Sequence, residues 1–88
     1  MFNKVMDYIK DFLYNPQDDI YDFSCELEGM LVVYYDEMYK EQPVATKILN
    51  NEIPDICAMG EPGMTKDEIE EFKECLKQEY EKALKMIV

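Results

Sequence analysis

Residues 18–38, DDIYDFSCELEGMLVVYYDEM, combine a helical repeat of apolar side chains with a run of acids. Seven of these twenty-one residues are acidic and none is basic, and the chain has no lysine between Lys10 and Lys40. Opposite charges four residues apart stabilise a helix, whereas like charges destabilise it by a similar amount. An acid-only helix face therefore indicates a surface that serves something other than helix stability.

A helical wheel at about 100° per residue divides this segment into three sectors. The first is a carboxylate ridge, which comprises Asp18, Asp22, Glu26, Gly29 and Asp36, with Asp19, Val33 and Glu37 beside it. The second is strongly apolar and comprises Ile20, Phe23, Leu27, Met30, Leu31, Tyr34 and Met38. The third comprises Tyr21, Ser24, Cys25, Glu28, Val32, Tyr35 and Tyr39. Because two sectors are largely apolar, we expect a central helix that packs against more than one neighbour.

Gly29 lies in the middle of the ridge. A glycine inside a helix costs about 1 kcal/mol relative to alanine. Its presence predicts a close approach at this point, either by a neighbouring helix or by a binding partner. Of the two, we expect a neighbouring helix.

The flanking sequence predicts three further helices. Apolar residues spaced i, i+3, i+4 predict the first from Phe2 to Tyr14, and Asn15-Pro16 ends it. Pro16 then opens the acidic helix, which we expect to run to about Tyr39. Pro43 opens the next helix, in which Pro54 predicts a kink or a break because proline removes a backbone donor.

The C-terminal part of the chain carries the strongest helix-start signal. GEPGMT, residues 60–65, has the composition of a loop. Thr65 and Glu68 have the spacing of a capping box, and the helix that follows is predicted to end near Met86. The predicted fold is all-α: residues 1–88 form a single domain, a compact four-helix bundle whose third helix is kinked or broken near Pro54.

The composition of the chain restricts the classes of partner and of chemistry that we expect. The net charge of −11 disfavours nucleic acid and anionic membranes as partners and favours a basic protein, reached by electrostatic steering. The chain has no histidine, no arginine and no glycine-rich phosphate loop, and its acids lack the spacing of an EF-hand. We therefore predict no catalytic residue, no metal site and no cofactor. The odd number of cysteines and the absence of a signal-peptide pattern predict reduced thiols in a cytoplasmic protein. We also expect the protein to be monomeric when it is free of its partner.

Two segments carry a likeness to a known family. NPQDDIYDFSCELEGML, residues 15–31, and PVATKILNNEIPDICAMGEPG, residues 43–63, resemble the colicin D immunity family. This group of bacterial self-protective immunity proteins includes those of contact-dependent growth inhibition. The likeness covers roughly residues 16–63, and the first and last helices match only as amphipathic helices.

The resemblance implies a small helical bundle that neutralises a toxin RNase. Such a protein covers the basic active site of the toxin with carboxylates that stand where RNA phosphates would lie. The expected phosphate mimics are Asp18, Asp22, Glu26, Asp36 and Glu37, with Asp55 and Glu61 as secondary contacts. Tyr21, Tyr35 and Tyr39 are the expected anchors, since tyrosine is enriched at the centres of protein interfaces.

Other interpretations of the same residues stay open. The ridge is also compatible with an ordinary solvated helix face, and the tyrosines with packing at the edge of the bundle. A second function compatible with the acids is that of a nucleic-acid mimic acting on another basic protein, such as a restriction enzyme or a repressor. A third is an adaptor module with no inhibitory role.

Overall fold

The computed structural model describes residues 1–14 and 20–87. This part of the chain forms five helices and no strand: α1 Phe2–Tyr14, α2 Ile20–Val33, α3 Tyr35–Glu41, α4 Pro43–Ala58 and α5 Lys66–Lys85. The prediction of an all-α fold is confirmed, and α1 has the predicted bounds. The predicted helix end at Asn15-Pro16, the predicted start at Pro16 and the ridge residue Asp18 lie outside the described residues.

The acidic segment forms two helices where a single one was predicted. The helix is interrupted at Tyr34, whose φ of −99° and ψ of 6° depart from helical values. Residues 32–35, VVYY, are β-branched or aromatic, and such side chains lose rotamer freedom inside a helix. Asp36 and Glu37 then lie in the first turn of α3, where acids favour a new helix N-terminus.

Pro54 does not break α4. The helix continues through Pro54 to Ala58, so of the predicted kink or break the break is wrong, and the kink stays a prediction. Pro54 lies on the exposed side of α4, where water can replace the backbone hydrogen bond that proline removes. α4 ends with two tighter bonds, in which the amides of Met59 and Gly60 donate to the carbonyls of Ile56 and Cys57, both at 3.0 Å.

The loop before α5 and its cap follow the sequence prediction. Gly63 has a φ of +78°, in the left-handed region that glycine occupies without a steric cost. The Thr65 hydroxyl accepts a hydrogen bond from the Glu68 amide at 3.2 Å, and the Thr65 amide donates to Glu68 Oε1 at 3.0 Å. The hydrogen bond from the Thr65 amide, and after it one from the Thr65 side chain, holds the pKa of the Glu68 carboxylate below its ordinary value. The capping box is therefore confirmed.

An aromatic cluster joins α1, α2 and α5 at the centre of the core. The rings of Phe12 and Phe23 stack with centroids 3.9 Å apart, and Tyr8 stacks on Phe23 at 5.2 Å. Phe72 meets Phe12 and Phe23 edge-on, with centroids 6.0 and 6.4 Å away. The orientation of α2, and hence of its acids, is set by this cluster.

The second fixed point of α2 is its contact with the end of α4. Ser24 is buried, with 3% of its surface exposed, and it lies against Gly60. A Cβ atom on Gly60 would overlap the Ser24 hydroxyl and lie 3.2 Å from the carbonyl oxygen of Cys57. Close helix approach therefore requires glycine at position 60.

We expect Gly60→Ala to destabilise the protein by about 1–3 kcal/mol, the usual cost of overpacking a filled interior. Adding Ser24→Ala removes the overlapping hydroxyl but keeps Cβ, so it should recover part of that loss. Denaturant unfolding of native protein, both single variants and the double variant measures the coupling between the two sites. Strictly additive costs would contradict the close contact.

Candidate functional site: the acidic face of α2 and α3

The described ridge carboxylates are all exposed. They are Asp22 and Glu26 on α2 and Asp36 and Glu37 on α3. The ion pairs recorded among the described residues join the Met1 amino group to Glu41 at 2.9 Å and Lys82 to Glu79 at 2.8 Å. Neither pair involves Glu26, Asp36 or Glu37, so these three carboxylates present their charge to solvent.

α2 packs through a single sector. Its buried residues are Ile20, Phe23, Ser24, Leu27 and Leu31, which belong to the predicted apolar sector except for Ser24. Most of the third sector is open to solvent: Tyr21 is 47% exposed and Val32 is 79% exposed. The prediction that this helix packs against more than one neighbour is nevertheless confirmed, because α1, α4 and α5 all contact α2. A bundle this small covers α2 from one side only.

The prediction that a neighbouring helix approaches Gly29 is wrong. A Cβ atom built on Gly29 would find nothing within 4 Å. The space beside it is an open depression of about 260 Å³, called here the Gly29 depression, lined by Cys25, Glu26, Gly29, Met30, Val33 and Tyr34. The helix-weakening glycine thus faces outward, next to a ridge carboxylate.

The three predicted tyrosine anchors do not form one cluster. Tyr35 and Tyr39 stack on α3 with centroids 5.9 Å apart, and the Lys47 ammonium lies 5.7 Å from the Tyr39 centroid. Tyr21 lies about four helical turns before Tyr35. Its pKa is raised, chiefly by a hydrogen bond with Cys25 and then by the negative charge of the Cys25 thiolate.

The two secondary contacts lie apart from the ridge in the chain. Glu61 is exposed and directly follows Gly60, so it lies beside the contact between α2 and α4. Asp55 is exposed on α4, next to Pro54. Glu61 also lines a surface depression with Met64 and with Glu68 and Glu71 of α5.

The acids of α2 influence titrating groups on the neighbouring helices. Burial raises the pKa of Tyr8 on α1, and the carboxylates of Glu26 and Asp22 raise it further. Burial raises the pKa of Cys57 on α4 to about 12, with a further contribution from Glu28. The α2 carboxylates therefore produce a negative potential that extends over both neighbours.

We expect the raised pKa of Cys57 to make the protein less stable at alkaline pH. The folded state keeps the thiol protonated up to a pKa of about 12, whereas its ordinary value is 9.0. The folded state then binds more protons than the unfolded chain, so stability falls as pH rises from 9 to 12. Denaturant unfolding across this range should show a steeper fall for native protein than for Cys57→Ala. Parallel curves would refute this prediction.

Across residues 1–14 and 20–87, no three histidine, cysteine, aspartate or glutamate side chains come together as possible metal ligands. In the same part of the chain, no helix has the length and apolar character needed to cross a membrane.

No family model, curated protein or solved structure matches this chain. The candidate site is therefore defined by the geometry and charge of its own residues.

The structure adds two residues that were not predicted as part of the site. Val32 and Val33 are 79% and 73% exposed, at the end of α2 beside the acids. The sequence carries no decisive signal for their exposure, since adjacent residues on a helix can both be buried, as Phe23 and Ser24 are. Their exposure follows from which sector of α2 the other helices cover, and this only the structure shows.

Proposed function

We propose that this protein is an immunity protein that binds and blocks the basic active site of an RNase toxin of the tRNA-cleaving type. The observation that carries the proposal is the exposed acidic face of α2 and α3, in a segment with no lysine from residue 11 to residue 39. The resemblance of residues 16–63 to the colicin D immunity family supports the same function.

The physical basis is competition for the cations that hold RNA. An RNase active site binds phosphates through lysine and arginine side chains, and a carboxylate accepts the same charge-assisted hydrogen bonds. Glu26, Asp36 and Glu37 already face solvent outside any recorded ion pair, so binding breaks no such pair within the protein. A single-sign face also steers a basic partner and raises the association rate.

The aromatic side chains supply a contribution that charge does not. Tyr21 and Tyr39 are 47% and 38% exposed, and a tyrosine buried at an interface contributes both apolar area and a hydrogen-bonding hydroxyl. Recognition then depends on the shape of the partner as well as on its charge, as expected where each immunity protein protects against its own toxin.

The direct test starts from the neighbouring gene, which we expect to encode a basic toxin domain. Bacteria expressing that domain should stop growing, and co-expression of this protein should restore growth. In a purified assay, an equimolar amount of the protein should stop tRNA cleavage. A neighbouring gene without such a domain, or undiminished cleavage, would refute the proposal. Copurification of a restriction enzyme or repressor would favour the alternative, a nucleic-acid mimic.

A further inference from the structure

We propose that the centre of the toxin contact is the Gly29 depression, an apolar site that receives an uncharged side chain from a partner whose surrounding surface is cationic. This inference rests on the proposed function and specifies how the partner is held. It assigns the acids to the rim of the contact and assigns the centre to Gly29, Met30 and Val33.

Apolar side chains around the depression are exposed to water. Val33 is 73% exposed, and Met30 and Tyr34 line the same depression while packing against the core. Water-exposed apolar area next to a depression gains free energy when a partner covers it. Adjacent Val32 is 79% exposed and extends the apolar surface beyond the depression.

The glycine at position 29 has no role in packing inside the protein. Glycine weakens a helix, and nothing within the protein approaches Gly29 closely enough to require it. What the missing side chain does provide is the floor of an open depression of about 260 Å³. A larger residue at this position would stabilise the helix and fill the depression.

The charge around the depression selects its occupant. Glu26 lines it, and Asp36 and Glu37 begin the helix that follows Tyr34. A second copy of this chain would bring the same carboxylates and a net charge of −11 against them, which opposes self-association. A partner that presents an apolar side chain surrounded by lysine and arginine complements both the apolar centre of the depression and its acidic rim.

This arrangement predicts two components of binding with different salt dependence. Rim charges are screened over about 3 Å at 1 M salt, compared with about 10 Å at 0.1 M. Contacts at a dry apolar centre are not screened, and such centres carry most of the binding free energy of protein interfaces. Affinity should therefore fall with salt to a plateau that depends on residue 29.

The experiment compares Gly29→Gln with Ala58→Gln, using the toxin domain encoded beside this gene as the probe. Glutamine is a good helix former, so the substitution at Gly29 keeps the helix while it fills the depression. Ala58 is exposed on α4, so the control adds the same amide side chain outside the acidic face. Kd is measured by calorimetry at about 0.1 M and about 1 M NaCl.

Gly29→Gln should weaken binding at least about tenfold at both salt concentrations, whereas Ala58→Gln should bind as the native protein does. Glu26→Gln should weaken binding at low salt and approach the native Kd at high salt. If the native protein binds and Gly29→Gln binds equally well, the apolar centre is refuted and the proposed function stands. If the native protein does not bind the toxin domain, the proposed function fails as well. A native dimer that Gly29→Gln disrupts would assign the depression to a second copy and overturn the inference.

Discussion

Combining Glu26→Lys with Asp36→Lys is expected to abolish protection against the toxin while leaving the protein folded. Both residues are exposed, and neither takes part in the ion pairs recorded for the described residues. Each substitution places a cation against the cationic surface of the toxin, and like charges juxtaposed across an interface cost several kcal/mol. Growth of cells expressing the toxin measures protection, and circular dichroism measures folding.

The matched control is Glu70→Lys with Glu74→Lys on α5. These residues are also exposed, and they lie beside Lys73 and Lys77 in a surface of mixed charge. The control changes the net charge by the same amount, so it separates the position of the acids from their number. Loss of protection by both double variants would show that net charge alone matters. Full protection by the α2–α3 variant would end the proposal of phosphate mimicry.

Phe23→Ala is expected to destabilise the protein by about 3–5 kcal/mol, the usual cost of removing a buried phenylalanine. Phe23 stacks on Phe12 and Tyr8 and meets Phe72 edge-on, so its loss opens a cavity among α1, α2 and α5. Since small domains have a total stability of about 5–15 kcal/mol, this change removes a large part of it. Urea unfolding gives the difference directly.

The control for Phe23→Ala is Tyr21→Ala, which removes an aromatic side chain two positions away. Tyr21 is 47% exposed and belongs to none of the recorded ring contacts of the core. Its substitution should change stability by about 0.5 kcal/mol or less. Equal losses in the two variants would show that the aromatic cluster does not hold α2 in place.

The sequence predicts the helices where a local signal is decisive. Apolar periodicity defines α1, and the Thr65–Glu68 capping box defines the start of α5. It fails where two signals compete. At Tyr34, the unfavourable rotamers of VVYY outweigh the continuous apolar repeat. At Pro54, the packing of α4 outweighs the loss of one backbone hydrogen bond.

The candidate site was predictable in its charge but not in its shape. A helical wheel gives the relative directions of side chains, so exposure of the ridge acids could be expected. It does not reveal which sector the other helices cover. The choice depends on long-range contacts, such as that between Ser24 and Gly60, which leave Gly29 and Val32 open.

The interruption at Tyr34 divides the acidic face between two helices, α2 and α3. Glu26 lies on α2 and Asp36 lies on α3. The distance between the two carboxylates therefore depends on the angle between these helices at Tyr34, which is not an acid. The Lys4 ammonium on α1 lies 5.8 Å from the centroid of the Tyr34 ring. This contact links α1 to the residue between α2 and α3. A substitution at Tyr34 or Lys4 would therefore change the spacing of the charges while every acid is kept. A change in the angle between α2 and α3 could therefore fit the acidic face to a different partner without any change in its charged residues.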